Sequence, residues 1–235
     1  MTETIIYFTE DSAVFRKAAE AMQNLGLCVT NTFSPEATHI LLPIPQSTLP
    51  ANLPITNQTI IGGNLNDSQH KCMDLLKDEW YLSKNAMITA HIAVTLSAQQ
   101  LPIVLEECPV LILGWGRIGK CLMQLLRNLG ADVTVAARKP SDLGMIAALG
   151  CQSTNIHNLT PHGFRLIFNT VPYPVLDTNQ CRADCVKIEL ASAPGITGPN
   201  VIQARGLPGK YAPESSGKLI AQTIHRLLQH EEVPV

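Results

Sequence analysis

Short apolar runs alternate with polar segments over the first third of the chain. The run TIIYF is typical of a buried strand, and the segment DSAVFRKAAEAMQNLG after it carries apolar side chains at helical spacing, with Asp11 or Ser12 suited to cap the helix. LCVT, HILLP and TIIGG predict three more strands, and NDSQHKCMDLLK predicts a helix over residues 66–77. These elements predict a small α/β domain over residues 1–84.

A second helix is predicted over residues 85–101, with Thr89 as its candidate cap. From Pro109 onward the pattern becomes strand, glycine-rich turn, helix and strand, which is typical of a parallel sheet. Two later strands are expected in FRLIFNTVP and CVKIELASAP, and an amphipathic helix is expected from Ser215 to Leu228.

The whole pattern predicts an α/β protein with two lobes, in which a doubly wound parallel Rossmann sheet follows the smaller N-terminal domain. The helix after residue 84 is expected to join the two domains. The closing helix is expected to return to the first domain, whose small core needs cover. The predicted boundaries are 1–84 for the first domain, 85–104 for the joining helix, 105–213 for the dinucleotide domain and 214–235 for the closing helix.

Composition and charge exclude several classes of protein. Only 15% of the residues are charged and the net charge is −2, so no basic face indicates a nucleic-acid partner. The N-terminus carries acids where a signal peptide needs basic residues, and no apolar run approaches the roughly 18 residues of a membrane span. We therefore expect a cytoplasmic protein that does not bind a membrane.

The cysteines predict reduced thiols and no metal site. Seven are present, without a CxxC pair and without histidines at metal-binding spacing. Cys181 and Cys185 are expected to be neighbours only if the segment CRADC is helical.

The glycine pattern GxGxxG at Gly114, Gly116 and Gly119 predicts a dinucleotide site, because it follows the apolar strand PVLIL and opens a helical segment. The first glycine permits the tight turn, the second admits the pyrophosphate, and the third lets the helix pack closely on the strand. The pyrophosphate then lies at the helix N-terminus, where free N–H groups favour negative charge. The intervening residues expected to border the cofactor are Trp115, Arg117 and Ile118.

The next strand, DVTVAA, ends without the acidic residue that binds an NAD ribose about 20 residues beyond the first glycine. Arg138, Lys139 and Ser141 follow it instead, and these side chains suit the 2′-phosphate of NADP(H). The sequence therefore predicts NADP(H) as the cofactor. The alternative is a solvated basic loop.

Five segments resemble, in order and spacing, the C-terminal domain of the dipicolinate synthase A subunit of spore-forming bacteria. They are ILGWGRIGKCL, DVTVAARKPSDL, IFNTVP, ELASAPG and ARGLPGKYAPESSGKLIA, and the resemblance runs from about Asn85 to Leu228. The last segment is the most specific. More distantly, the layout is similar to D-2-hydroxyacid dehydrogenases and S-adenosylhomocysteine hydrolase, and FNTVP is similar to a segment of shikimate dehydrogenases.

The resemblance implies a cytoplasmic, NADP-linked oxidoreductase of sporulation that interconverts dihydrodipicolinate and dipicolinate beside a flavoprotein-like B subunit. It also implies a flavodoxin-like N-terminal domain and a small dicarboxylate substrate in the cleft between the domains. We further expect a homo-oligomer.

Three departures from the family pattern support a second hypothesis. The first strand leads into FTEDS rather than GGDxR, NAMITAHIA has Ile88 and His91 in place of proline and glutamate, and Ala193 stands where the family often has a basic residue. The alternative is an NADP-binding paralogue with weakened or no catalysis, serving as a partner subunit or a sensor.

Related hydroxyacid dehydrogenases have an arginine and a histidine where this chain has ASAPG and LPGKYAP. Lys210 is the nearest ionisable substitute, and His91 and Ser192 complete the predicted catalytic set. An exposed loop lysine and a solvated helix histidine are the alternatives. The remaining residues predicted to contact the cofactor are Asn169, Thr170, Pro172, Ala191 and Pro208.

Overall fold

The described residues form two large all-parallel sheets, one in each of two units, and a small two-stranded sheet in the second unit. The computed structural model describes residues 4–45, 49, 53, 55–66 and 68–231. The first unit comprises residues 1–85 and 208–235, and the second comprises residues 86–207. The predicted α/β class with a Rossmann sheet is confirmed.

The first unit has a five-stranded sheet in the order β2-β1-β3-β4-β5. This is the order of flavodoxin-like sheets, which bind ligands outside the carboxyl ends of their strands. The strands are β1 (Ile5–Phe8), β2 (Cys28–Thr30), β3 (His39–Leu41), β4 (Thr59–Gly62) and β5 (Cys72–Asp74). Helix α1 (Ala13–Asn24) follows β1, and the Ser12 hydroxyl accepts a hydrogen bond from the Phe15 amide at its start.

The helix predicted over residues 66–77 is wrong. The described part of this segment contains β5 and a short 3-10 turn, Leu75–Lys77. The Asp74 carboxylate accepts hydrogen bonds from the backbone N–H groups of Asn64, Leu65 and Leu76, at 3.0, 3.2 and 3.0 Å. The two contacts to the preceding loop and the one to the following turn fix an extended chain at Asp74, which a helical pattern in the local sequence does not reveal.

Helix α2 (Glu79–Ala98) begins earlier than predicted. Asp78 caps the N-terminus of this helix, because its Oδ1 accepts a hydrogen bond from the Tyr81 N–H at 2.7 Å. Thr89, the predicted cap, is buried in the middle of the helix instead. None of the helices in the described ranges is both long and apolar enough to cross a membrane.

The chain closes with a short helix, α5 (Leu207–Tyr211), and a long one, α6 (Pro213–Glu231). Helix α6 packs on α1 so closely that a Cβ atom on Gly217 would lie 2.6 Å from the Ala18 nitrogen. Arg226 of α6 donates a hydrogen bond to the Asp78 carboxylate at 2.6 Å, and its guanidinium lies 5.4 Å from the ring centre of Trp80.

The second unit has a six-stranded sheet in the order β13-β11-β9-β6-β7-β8. Counted from β6, this is the 3-2-1-4-5-6 order of dinucleotide-binding sheets, whose crevice lies between the first and fourth strands. Its strands are β6 (Pro109–Leu113), β7 (Asp132–Ala137), β8 (Gln152–Asn155), β9 (Leu166–Asn169), β11 (Val186–Glu189) and β13 (Val201–Gln203). Helices α3 (Arg117–Asn128) and α4 (Pro140–Ala148) follow β6 and β7.

Side chains of the central strand β6 supply both faces of this sheet. Val110 and Ile112 point into one core, together with residues of α2 and α3, while Leu111 and Leu113 point into the other. Loops and a two-residue strand pair, β10 (Leu176–Asp177) with β12 (Ile196–Thr197), contribute to the second core. A strand buried on both faces explains the continuous apolar run PVLIL.

We predict that Asp78→Asn lowers the free energy of unfolding at pH 7 by about 1 to 3 kcal/mol, the range for losing a hydrogen bond to a charged group. Desolvation opposes ionisation of Asp78, but hydrogen bonds from Arg226 and from the Tyr81 amide outweigh it and lower its pKa. The carboxylate therefore stabilises the fold above its unfolded-state pKa of about 3.9 and loses this effect as the pH falls through the lower folded-state pKa.

Urea denaturation of parent and variant at pH 7 and pH 3 measures this effect, with Glu20→Gln at an exposed ion pair as a control that should change little. A stability difference that does not shrink at pH 3 would contradict the assignment.

Candidate functional site

The turn between β6 and α3 is built around two glycines that no larger residue can replace without movement. Gly114 has a φ of 104°, in the left-handed region, and a Cβ there would collide with the Thr170 hydroxyl. A Cβ on Gly119 would collide with the carbonyl oxygen of Gly114. Strand and helix can therefore approach closely, as predicted for the first and third glycines of the motif.

Gly116, the second glycine, differs from the other two because no atom lies within 4 Å of an added Cβ. It is exposed, has a φ of −80° and occupies the N-cap of α3, where as a glycine it has no side chain to cap the helix. The open space at a helix N-terminus suits a pyrophosphate. The residues around Gly116 therefore fit a dinucleotide.

A pocket of about 250 Å³ lies beside this turn, at the carboxyl ends of β6, β7 and β9. It brings together seven of the residues predicted to bind the cofactor: Gly114, Trp115, Gly116, Arg138, Lys139, Thr170 and Pro172. The other residues that line it are Ala137, Asp142, Ile156, Val171 and Tyr173. Arg117, Ile118 and Gly119 lie behind it in the first turn of α3.

The end of the pocket beyond β7 contains charges of both signs. Arg138 and Lys139 are exposed and line it, and Ser141 is exposed in the first turn of α4 outside the lining. Asp142, in the same turn, contributes a carboxylate that sequence reasoning missed. The only feature of the sequence that indicated a role for Asp142 at this pocket was its position five residues after the end of β7.

Asn169 does not face the pocket, so the predicted contact between its side chain and a ribose needs correction. The residue is fully buried at the end of β9. Its Nδ2 donates to the Val171 carbonyl at 2.9 Å and to Glu189 at 2.7 Å, and its Oδ1 accepts from the Val171 N–H at 3.1 Å. The hydrogen-bonding groups of this side chain are all occupied by other protein groups. Its two bonds to the backbone of Val171 fix the shape of the loop after β9.

The second part of this buried network is Glu189, which the sequence analysis missed. It is fully buried at the end of β11. Its Oε1 accepts from Asn169 at 2.7 Å and from the Ala191 N–H at 3.0 Å, and its Oε2 accepts from the N–H groups of Gly195 and Ile196 at 2.8 and 3.0 Å. An acidic residue inside the apolar run VKIEL was the available signal, since buried charges are rare unless they are paired or hydrogen-bonded.

The loop after β11 presents Ser192 to solvent, while the predicted cofactor contact Ala191 is buried beneath it. His91 is exposed in the middle of α2, not at its start as predicted. Both residues belong to the second unit.

Pro208 and Lys210 lie in α5 and belong to the first unit. The Lys210 side chain is exposed, with its Nζ 4.9 Å from the ring centre of Tyr211. Helix α5 lies against the first turn of α1, since a Cβ on Gly209 would be 3.5 Å from Val14. The GLPGKYAP motif therefore lies near the start of α1.

A second pocket, of about 490 Å³, lies in the first unit at the carboxyl ends of β1 and β2. The loop FTEDS contributes Thr9, Glu10 and Asp11 to its lining. This loop lacks the arginine of the family pattern, but Arg16 of α1 reaches it and pairs with Asp11 at 2.8 Å. Sequence reasoning missed this arginine because it lies beyond the loop.

A third pocket, of about 730 Å³, lies between α3 and α4 and shares only Trp115 with the 250 Å³ pocket beside the glycine turn. Its lining includes Lys120 and Arg127, but it contains none of the three motif glycines and neither Arg138 nor Lys139. Of the residues predicted to bind the cofactor, seven line the 250 Å³ pocket and only Trp115 lines this one.

The thiols of the second unit are structural. Cys181 and Cys185 lie close enough to influence each other's pKa although CRADC is not helical, so the expectation that they need a helix to be neighbours is wrong. Burial raises the pKa of Cys185 to about 12, which makes it a poor nucleophile. Within the described residues, no group of three or more His, Cys, Asp or Glu side chains is arranged to hold a metal ion.

Comparison with known proteins places the chain beside one family. No protein-family model matches it. A curated relative, the A subunit of dipicolinate synthase from Bacillus subtilis (strain 168), is 27% identical over 174 residues, covering 68% of this chain and 59% of the relative. The chain thus spans less than two thirds of the curated relative that it matches.

Solved structures give the same result at the level of the fold. The dipicolinate synthase A subunit from Bacillus halodurans has a TM-score of 0.82 at 21% identity, covering 100% of this chain and 99% of its own. Its counterpart from Bacillus subtilis has a TM-score of 0.79 at 22% identity, covering 99% and 98%. An L-alanine dehydrogenase has a TM-score of 0.66 at 12% identity, covering 96% and 90%. The resemblance to the dipicolinate synthase A subunit is confirmed.

We predict that substitutions at two glycines of the motif affect different properties, stability at Gly119 and dinucleotide binding at Gly116. Gly119→Ala should lower the free energy of unfolding by about 1 to 3 kcal/mol, because its Cβ overpacks against backbone. Gly116→Ala should change that free energy by less than about 0.5 kcal/mol, as for an open surface site, but should weaken dinucleotide binding at least about 10-fold by occupying the space for the pyrophosphate.

Urea denaturation and cofactor titration measure these two effects. Gly144→Ala, in α4 with no atom within 4 Å of the added Cβ, is the control for both. Equal destabilisation by the Gly116 and Gly119 variants would refute the distinction between them.

Proposed function

We propose that this protein is an NADP(H)-binding oxidoreductase. The observation that carries the proposal is the open Gly116 turn, which leads from the central strand into α3 at the switch point of the second sheet. Sheets of this order bind dinucleotides there. The similarity to the A subunit of dipicolinate synthase and to a dehydrogenase structure supports the redox assignment.

The preference for NADP(H) over NAD(H) is supported by the residues after β7. The strand ends in Ala136 and Ala137, so no carboxylate stands there to bind a free ribose hydroxyl, and Arg138 and Lys139 follow. A guanidinium can bind phosphate oxygens with two N–H groups, and an ammonium adds a point charge. Asp142 lines the same end of the pocket, and its carboxylate opposes this preference because it repels a phosphate.

The proposed reaction is the oxidation of dihydrodipicolinate by NADP⁺ to dipicolinate, NADPH and a proton, and its reverse. A bound nicotinamide supplies the hydride chemistry. Arg16 and Lys210 supply positive charge near the start of α1 and would orient the carboxylates of the substrate. Ser192 lies in the loop that follows β11 and would border the nicotinamide ring of the cofactor.

The proposed partners are further copies of this chain and a flavoprotein-like B subunit. The second follows by analogy with the curated relative, whose name identifies it as one subunit of a synthase. The cytoplasm is the proposed compartment because it keeps thiols reduced, and the sequence has an odd number of cysteines without a CxxC pair.

One observation favours a second candidate function. Arg16 and Lys210 are exposed, and Arg16 already pairs with Asp11, so neither side chain is desolvated for acid–base work. A chain that binds NADP(H) without turnover, in the role of a partner subunit or sensor, needs neither group to be activated.

We predict that NADPH binds about 10- to 100-fold more tightly than NADH, the effect of a charge-assisted contact of about 1.5 to 3 kcal/mol. Arg138→Ala should remove most of the difference. Asp142→Asn should strengthen NADPH binding and leave NADH binding nearly unchanged, because it removes a negative charge near the phosphate.

Fluorescence titration of both cofactors measures these affinities. Arg182→Ala, an exposed arginine paired with Asp184 in the same unit, should change neither affinity. The assignment fails if the parent binds both cofactors equally or if Arg138→Ala retains full discrimination.

The dicarboxylate is tested with dipicolinate as the probe. Arg16→Met and Lys210→Met should each weaken its binding about 2- to 5-fold, the range for exposed ion pairs, and should leave NADPH affinity unchanged. Lys218→Met, which removes an exposed cation paired with Glu214 on α6, is the matched control.

Formation of NADPH from NADP⁺ and dihydrodipicolinate, measured with and without a flavoprotein-like partner, separates the two candidate functions. Turnover supports the oxidoreductase. Tight NADPH binding without turnover in either condition supports the partner subunit or sensor.

A further inference from the structure

The loop that follows β11 is held at both ends by one side chain. Glu189 accepts the N–H of Ala191 on one oxygen and the N–H groups of Gly195 and Ile196 on the other. Ala191 and Gly195 are buried, whereas residues 192–194 between them are exposed. The carboxylate therefore closes the base of the loop and fixes the position of its exposed tip, which includes Ser192.

The same carboxylate connects this tip to the wall of the dinucleotide pocket. Its Oε1 also accepts from Asn169, whose amide in turn bonds both backbone groups of Val171, and Val171 lines the pocket. Gly195 allows the two loops to meet, since a Cβ there would collide with the Asn169 amide and lie 2.5 Å from the Val171 carbonyl oxygen. The pocket wall and the Ser192 tip thus share one buried anchor.

We infer that Glu189 is a positioning residue for the nicotinamide half of the bound dinucleotide. Rossmann sheets consist of two mononucleotide-binding halves, so the adenosine half lies over β6, β7 and β8 and the nicotinamide half lies over β9 and β11. The loops that Glu189 joins follow β9 and β11. The inference rests on the proposed function in that it requires the chain to bind a dinucleotide.

A carboxylate suits this position because both of its oxygens face two donors. In Glu189→Gln, one oxygen becomes an NH₂ group, and either orientation of the amide sets that donor against two N–H donors. The tip of the loop should then lose its fixed position. The adenosine side keeps its own support, because the Gly114 N–H donates to the Ala136 carbonyl at 2.9 Å and Gly119 packs on the Gly114 carbonyl, and neither contact involves Glu189.

The test compares a whole cofactor with its adenosine half. Glu189→Gln should weaken NADPH binding about 10-fold, as expected for the loss of one hydrogen bond to a charged group, and should leave the affinity for 2′,5′-ADP within about 2-fold of the parent. The emission of bound NADPH, which reports on the nicotinamide environment, should move toward that of free NADPH. Glu107→Gln, an exposed carboxylate in the same unit, should change none of these.

A second variant keeps the test decisive if Glu189→Gln does not fold. Glu189→Asp keeps the charge on a side chain that is shorter by one methylene. It should weaken NADPH binding about 3-fold and leave the affinity for 2′,5′-ADP unchanged. Equal losses for NADPH and 2′,5′-ADP, or unchanged nicotinamide emission, would overturn the inference while the proposed function stands. A parent protein that binds neither molecule would refute the proposed function and this inference with it.

Discussion

The close packing of Gly119 against the carbonyl of Gly114 is the constraint on which the second unit depends. It brings the N-terminus of α3 directly above the end of the central strand β6. The same strand end holds the neighbouring loop, because both the amide and the hydroxyl of Thr170 donate to the Leu113 carbonyl. One strand thereby positions both the glycine turn and the opposite wall of the pocket, and a shift in either would change the space above Gly116.

The buried side chains of Glu189 and Asn169 have their hydrogen-bonding groups occupied by other protein groups. Glu189 and Asn169 occupy a layer otherwise built from aliphatic residues, and together they bond backbone groups of two loops. Burying such groups is costly unless each hydrogen bond is made, so the arrangement has few alternatives. In the first unit, the partly exposed Asp78 caps α2 and pairs with Arg226 of α6.

The two parts of the functional proposal rest on different kinds of structure. Cofactor binding rests on backbone geometry that hardly depends on side-chain conformation, since Gly114 and Gly119 permit the turn by lacking a Cβ. Substrate chemistry rests on exposed cations, Arg16 and Lys210, whose positions near the start of α1 come from helix packing. Exposed charges orient a ligand weakly by themselves. Cofactor binding and catalysis therefore depend on different residues, and the measurement of NADPH formation distinguishes the two candidate functions.

The sequence by itself determined the features that are local in the chain. The strand, turn and helix around GxGxxG, the strand DVTVAA and the basic residues after it follow from periodicity and from glycine geometry within about 30 residues. Motif order also determined the family resemblance. The strand β5, the pairing of Asp78 with Arg226 and the link from Asn169 to Glu189 were decided only by tertiary structure. Each depends on hydrogen bonds to residues distant in sequence or to loop backbone, and residue type and spacing alone do not show which partner a carboxylate or amide will find.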